Sequence, residues 1–145
     1  MKSEIIQKLI AHVTAECGAV DVEARFDDML DELYSFDSVG GPFQYLTPSN
    51  VLKEMLPTDY RCGVADYTGT EENLVEIGNE YYDKADVDAA RDEFTGNLDE
   101  QIADLEKEIE TLEAEEDKDE EEIATKQREL ADLQSDEREA SKHTF

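Results

Sequence analysis

The sequence predicts an all-α protein, a small bundle of short helices followed by a C-terminal antiparallel coiled-coil hairpin. Three observations carry this. Apolar residues recur at three-to-four spacing along most of the chain, alternating strand-like runs never exceed three or four residues, and a heptad seam occupies the last third. The expected division is a compact helical domain over residues 1–95 and an acidic hairpin over 96–145, ending in a frayed tail.

In "SEIIQKLIAHV", Ile5, Ile6, Leu9, Ile10 and Val13 mark an amphipathic helix behind Ser3 as cap. In "DVEARFDDMLDELYSF", Val22, Phe26, Met29, Leu30 and Leu33 mark a second, with Asp21 as its cap. Gly40, Gly41 and Pro42 make a loop. Thr47 and Pro48 then open a third helix that stops at Leu56, because Pro57 disfavours helical geometry in the residue before it. Pro57 and Thr58 start a fourth helix, with Tyr60, Val64 and Tyr67 on one face. "TGTEENLVEIGNEYY" reads as a further short helix with Leu74, Ile77 or Gly78, and Tyr81 inward. "DVDAARDEF" repeats the pattern with Val87, Ala90 and Phe94.

Gly96 is expected to break the chain, and Asn97 with Glu100 forms a capping box for the helix beyond it. Leu98, Ile102, Leu105, Ile109 and Leu112 then form the seam, which Ile123, Leu130 and Leu133 resume after an acidic run. The two sets are mirror-related. Leu112 faces Ile123, Leu105 faces Leu130 and Ile102 faces Leu133, while Ile109 meets Lys126 as a mismatch. This is the pattern of a helical hairpin with its tip near Asp117 and Lys118. Asp119 and Glu122 supply another capping box there, and Glu120 and Glu121 sit where the helix dipole favours anions. The alternative is one long helix forming a dimeric coiled coil. That arrangement stacks Glu116 on Glu116 in a parallel dimer, or overlays the two acidic runs in an antiparallel one.

Charge narrows the function classes. Forty Asp and Glu against 13 Lys and Arg give a net charge of −27. Direct nucleic-acid binding needs clustered cations and is excluded as a reading. A basic groove on another protein is the natural counterpart of so negative a surface. Lys outnumbers Arg, which argues against salt adaptation as the source of the acidity. No apolar run is long enough to span a bilayer, and Glu4, Lys8 and His12 interrupt any signal-like core, so a cytoplasmic protein is expected. Cys17 and Cys62 fit no disulfide framework and are expected as buried free thiols.

The acidic face is assigned to Asp27, Asp28, Asp31 and Glu32 on the second helix and to Glu113, Glu115, Glu116, Asp117, Asp119, Glu120, Glu121 and Glu122 in the run. As continuous helix, the run's ten residues would carry about one net charge per 2 Å of axis, close to the roughly 1.7 Å of duplex DNA. Catalysis is not expected: solvated carboxylates lack the apolar cleft that raises a general acid's pKa, and no phosphate loop or nucleophile elbow is present. Nor is a cofactor or metal. His12, Cys17, Cys62 and His143 are too scattered for zinc, and "DKDEEE" and "DKADVD" lack a calcium loop's Gly and ligand order. Tyr60, Arg61 and Tyr67 form a candidate interface cluster, with a core role for the tyrosines as the alternative.

"PSNVLKE", Pro57 and "YRCGVADY" together resemble a motif in short proteins of phages and mobile elements, to which no activity attaches. In overall character, small, helical and very acidic, the chain is similar to phage DNA-mimic inhibitors of the anti-restriction and anti-CRISPR type. That likeness implies a non-enzymatic inhibitor in the host cytoplasm that mimics phosphate charge on the basic nucleic-acid-binding surface of a nuclease, restriction or CRISPR effector. No family residue carries over. The rival expectation is a coiled-coil assembly or adaptor protein, with a homodimer as one form and acidity serving solubility.

Overall fold

Six α-helices and one small hairpin of strands build the chain in the computed structural model, which describes residues 2–36, 40–117 and 119–145. The order is α1 (Glu4–Glu16), α2 (Val22–Leu33), a 3-10 turn (Gly41–Tyr45), α3 (Pro48–Met55), α4 (Pro57–Thr70), β1 (Leu74–Ile77), β2 (Glu80–Asp83), α5 (Lys84–Ala114) and α6 (Glu120–Lys142). The fold is all-α but for the β1–β2 pair.

Contacts divide the chain at 18/19 and 84/85, not at 95/96: one unit is Met1–Gly18 with Ala85–Phe145, the other Ala19–Lys84. The first is a bundle of α1, α5 and α6. Ser3 caps α1, accepting from the Ile6 amide, and its hydroxyl donates to Glu139 on α6. Ile5, Ile6, Leu9 and Val13 are buried on α1, Val87, Ala90, Leu98 and Ile109 on α5, and Ala140 on α6. Leu9, Val13 and Ala140 are wholly enclosed. The terminal segment is therefore not frayed; helix continues to Lys142, where Ala140 is small enough to let α1 come close.

The expected break at Gly96 is absent, and α5 runs unbroken for 31 residues. One helical Gly costs about 1 kcal/mol, and the buried neighbours Val87, Ala90 and Leu98 on either side of it outweigh that. Asn97, expected as a cap, lies inside the helix, where its backbone carbonyl accepts from the Gln101 side-chain amide. Beyond it the hairpin has the mirror register read from the sequence. Lys126 reaches back to Glu108 at 2.7 Å, Gln127 to Glu113 and Gln134 to Glu106. Leu98 and Ile109 are buried, and Ile102, Leu105, Leu112, Ile123, Leu130 and Leu133 are half-buried.

In the second unit, α2, α3 and α4 pack together. Asp21 caps α2, and α3 ends at Leu56 before Pro57, as the sequence dictates. The segment expected as a short helix over Leu74–Tyr81 is instead the β1–β2 hairpin, with Val75 opposite Tyr82 and Glu76 opposite Tyr81. Gly78 has positive φ and Asn79 does not, the signature of a II′ turn that requires Gly at its first central position. Leu74, Val75, Ile77, Tyr81 and Tyr82 are the β-branched, aromatic and aliphatic types that a pleated, half-buried surface accepts. Tyr82 is buried. Arg25 on α2 clamps Asp83 on β2 through two hydrogen bonds of 2.7 and 2.6 Å, raising the Arg25 pKa and holding the Asp83 carboxyl below its ordinary range.

Candidate functional site

The hairpin tip is the densest charge on the chain. α5 ends at Ala114, a bend follows over 115–117, and α6 begins at Glu120. Lys118, half of the expected tip, lies outside the described residues. Asp119 closes the turn chemically: its carboxylate accepts from the Glu121 and Glu122 amides at 3.1 and 3.2 Å. Those amides are among the four at a helix start that have no partner within the helix. Glu120, Glu121 and Glu122 occupy the first turn, at the positive end of the α6 dipole.

All eight carboxylates of the run, Glu113, Glu115, Glu116, Asp117, Asp119, Glu120, Glu121 and Glu122, are exposed. Lys126, the next cation along α6, is directed at Glu108. That hydrogen bond raises its pKa, and the charges of Glu122 and Glu129 add to the effect. Because the run is folded at a turn, its charge forms a cluster at one end of the hairpin. The even spacing that the run would have as one continuous helix, the alternative to the expected hairpin, does not apply.

The second-helix acids behave differently from expectation. Asp27 accepts from the Tyr60 hydroxyl at 2.8 Å and from the Lys53 ammonium. Asp31 accepts from both the amide and the hydroxyl of Ser49, each at 2.9 Å. These two carboxylates hold α3 and α4 onto α2, so only Asp28 and Glu32 of that group remain exposed and open to a partner. The sequence could not separate them, since all four are acids on one helix.

Tyr60, Arg61 and Tyr67 do not form an interface cluster. Tyr60 is buried, and burial, followed by its hydrogen bond to Asp27, raises its pKa. Its ring meets Phe26 at 5.5 Å, edge-on, while Tyr67 meets Phe26 at 5.8 Å from another side. Phe26 is thus gripped between two tyrosines, the core role. Arg61 is exposed and borders a groove of about 320 Å3 with Val22, Val64 and Tyr81.

Known proteins add nothing to this geometry. The chain matches no family model, no curated protein and no solved structure.

Cysteine chemistry offers no site. Cys17 is buried, and burial, with the nearby charges of Asp86 and Glu16, raises its pKa and suppresses the thiolate. Cys62, expected buried, is exposed, because it lies on the side of α4 away from Tyr60 and Gly63, which face Phe26. Among the described residues no group of three or more His, Cys, Asp or Glu could hold a metal ion. No described helix is long and apolar enough to cross a membrane.

The sequence did not single out one surface that the structure displays. Leu33, Tyr34, Phe43, Tyr45, Leu46, Met55 and Leu56 are exposed large hydrophobic residues, all within residues 33–56. Tyr45 and Met55 are 81% and 74% exposed. A signal was available: "GPFQYL" carries aromatic and aliphatic residues in a loop, without the helical period that would assign them to a core.

Proposed function

We propose that the protein is a non-enzymatic inhibitor of the phage or mobile-element type, which occupies the basic nucleic-acid-binding surface of another protein and presents carboxylates in place of phosphates. The observation that carries this reading is the tip: eight exposed carboxylates gathered at one turn, with the nearest described cation on α6 committed to Glu108. A cationic groove meeting that tip gains attraction that no ion pair among the described residues already supplies. Electrostatic complementarity of this kind speeds association and makes it salt-dependent. The adaptor reading needs a seam open to a partner helix; Leu98 and Ile109 are buried within a single chain, while the other six seam positions are half-buried.

The test is capture from a bacterial lysate at low salt, with the wild-type chain and a Glu115→Gln, Glu116→Gln, Glu120→Gln, Glu121→Gln variant as parallel baits. Proteins held by the wild type alone, released by competing duplex DNA and by salt as the screening length falls from about 10 Å at 0.1 M to about 3 Å at 1 M, support the proposal. Capture that survives the four substitutions and is indifferent to DNA refutes it.

A further inference from the structure

We infer that the second unit carries a separate docking groove for a cationic amphipathic helix of another protein. The groove, about 370 Å3, is lined by Tyr45 and Leu46 and, from α3, by Asn50, Val51, Glu54 and Met55. Val51 and Met55 stand four residues apart, so they line one face of α3 as a stripe. Further exposed apolar side chains from Leu33 to Leu56 lie in the same stretch of chain. Soluble monomers seldom leave large apolar groups clustered in water without an interaction to cover them, and an apolar trough beside a helix suits the apolar face of a partner helix.

Charge selects the occupant. Residues 19–84 hold 15 acidic and 4 basic residues, net −11. Two of those four cations are committed internally, Arg25 to Asp83 and Lys53 to Asp27. The one charged side chain lining the groove is Glu54. Two copies meeting through this unit would set −11 against −11, and an anionic membrane would repel the unit in the same way. A helix with Leu, Met or aromatic residues on one face and Lys or Arg flanking them satisfies both the trough and Glu54. This site is distinct in residues and chemistry from the hairpin tip, and it does not depend on the proposal made for the tip.

The experiment titrates the full chain into a dye-labelled synthetic Leu/Lys amphipathic peptide and follows fluorescence anisotropy, with a Lys/Ser peptide of equal charge alongside. Tyr45→Ser and Met55→Ser, both at exposed positions, are each expected to weaken the Leu/Lys peptide about tenfold, as truncation of an interface anchor does, and to leave the Lys/Ser peptide unchanged. The four-residue tip variant is expected to retain Leu/Lys binding within about twofold, because none of its substituted residues lines the groove. Equal affinity for the two peptides, or groove variants that bind as the wild type does, overturns the inference. So does concentration-dependent self-association that Met55→Ser abolishes, which would make a second copy the occupant, or preferential binding to phosphatidylcholine vesicles.

Discussion

Gly63→Ala is the substitution whose outcome the structure fixes most sharply. A methyl group at Gly63 on α4 would sit 2.6 Å from the Phe26 ring tip on α2, with a second ring carbon at 3.3 Å. Comfortable carbon–carbon contact is about 3.5–4.0 Å, so the pair must separate by roughly 1 Å. The ring cannot simply swing away, because Phe26 is buried and wedged between Tyr60 and Tyr67. Either α2 and α4 part or three aromatic rings repack. Overpacking of this kind costs about 1–3 kcal/mol. Opposing it, Ala is a better helix former than Gly by about 1 kcal/mol.

The net expectation for Gly63→Ala is a loss of about 0–2 kcal/mol, which a single measurement could blur. Gly69→Ala removes the ambiguity. It lies on the same helix with nothing within 4 Å of an added methyl, so it keeps the propensity gain without the clash. The difference between the two variants should be about 1–3 kcal/mol in favour of Gly69→Ala. Urea unfolding followed by tyrosine emission measures it, since all six tyrosines lie within residues 19–84 and the chain has no Trp. Adding Phe26→Leu to each should shrink the difference, because the smaller side chain yields the space. Gly63→Ala as stable as Gly69→Ala would refute the close approach of α2 and α4.

Ion pairs and polar contacts give three further expected outcomes. Asp27→Ala strands the buried Tyr60 hydroxyl and the Lys53 ammonium, and should lower urea stability by about 1–3 kcal/mol. Because Arg25 depresses the folded-state pKa of Asp83, the pair's contribution is fully present above the ordinary carboxylate value of about 4 and is lost as pH falls through the depressed one. Thermal melts on the acid side should thus show a shallower decline for Asp83→Asn than for the wild type. Lys126→Leu replaces the mismatch read opposite Ile109 with an apolar group beside Leu112 and should stabilise the hairpin by about 1 kcal/mol in circular-dichroism melts.

Much of the fold was legible where the local signal is self-contained. The caps Ser3, Asp21 and Asp119 hold as read, as does the stop at Leu56 before Pro57. The mirror symmetry of Leu112 with Ile123 and of Leu105 with Leu130 depends only on heptad spacing, so the hairpin register could be read before any coordinates. Errors came where two structures share one local pattern. "LVEI" and "EYYD" are four residues each, too short for a strand period to be told from a helical one. Gly96 is a breaker by propensity, and only the tertiary burial on both sides of it keeps α5 straight through. The pairing of α1 (Glu4–Glu16) with α6 (Glu120–Lys142) joins residues at least 104 apart, which no window on the sequence can see. For the candidate site the limit is different. Which of Asp27, Asp28, Asp31 and Glu32 face partners is decided by Lys53, Tyr60 and Ser49, residues whose proximity is a product of the fold.

The tip acids divide into two groups that stability measurements can separate. Glu120, Glu121 and Glu122 stand at the start of α6, where the dipole favours a negative charge by about 0.3–1 kcal/mol each. Glu113 stands in the last turn of α5 and Glu115 and Glu116 just past it, at the negative end of that helix, which carries no basic residue in its last turn to offset them. There the same term is unfavourable. Neutralising Glu113, Glu115 and Glu116 to Gln should therefore raise the hairpin's melting temperature at low ionic strength, while neutralising Glu120, Glu121 and Glu122 should lower it or leave it unchanged. The two triple variants should differ by about 1–2 kcal/mol, and added salt should shrink the gap. Equal shifts in the same direction would mean that plain repulsion governs the tip and that helix polarity does not matter. If the two variants differ as expected, folding accounts for the α6 acids and leaves the α5 acids as a charge that the hairpin bears at a cost. Those three carboxylates are then where a basic partner has most to offer, because pairing with it relieves an interaction that the isolated chain cannot.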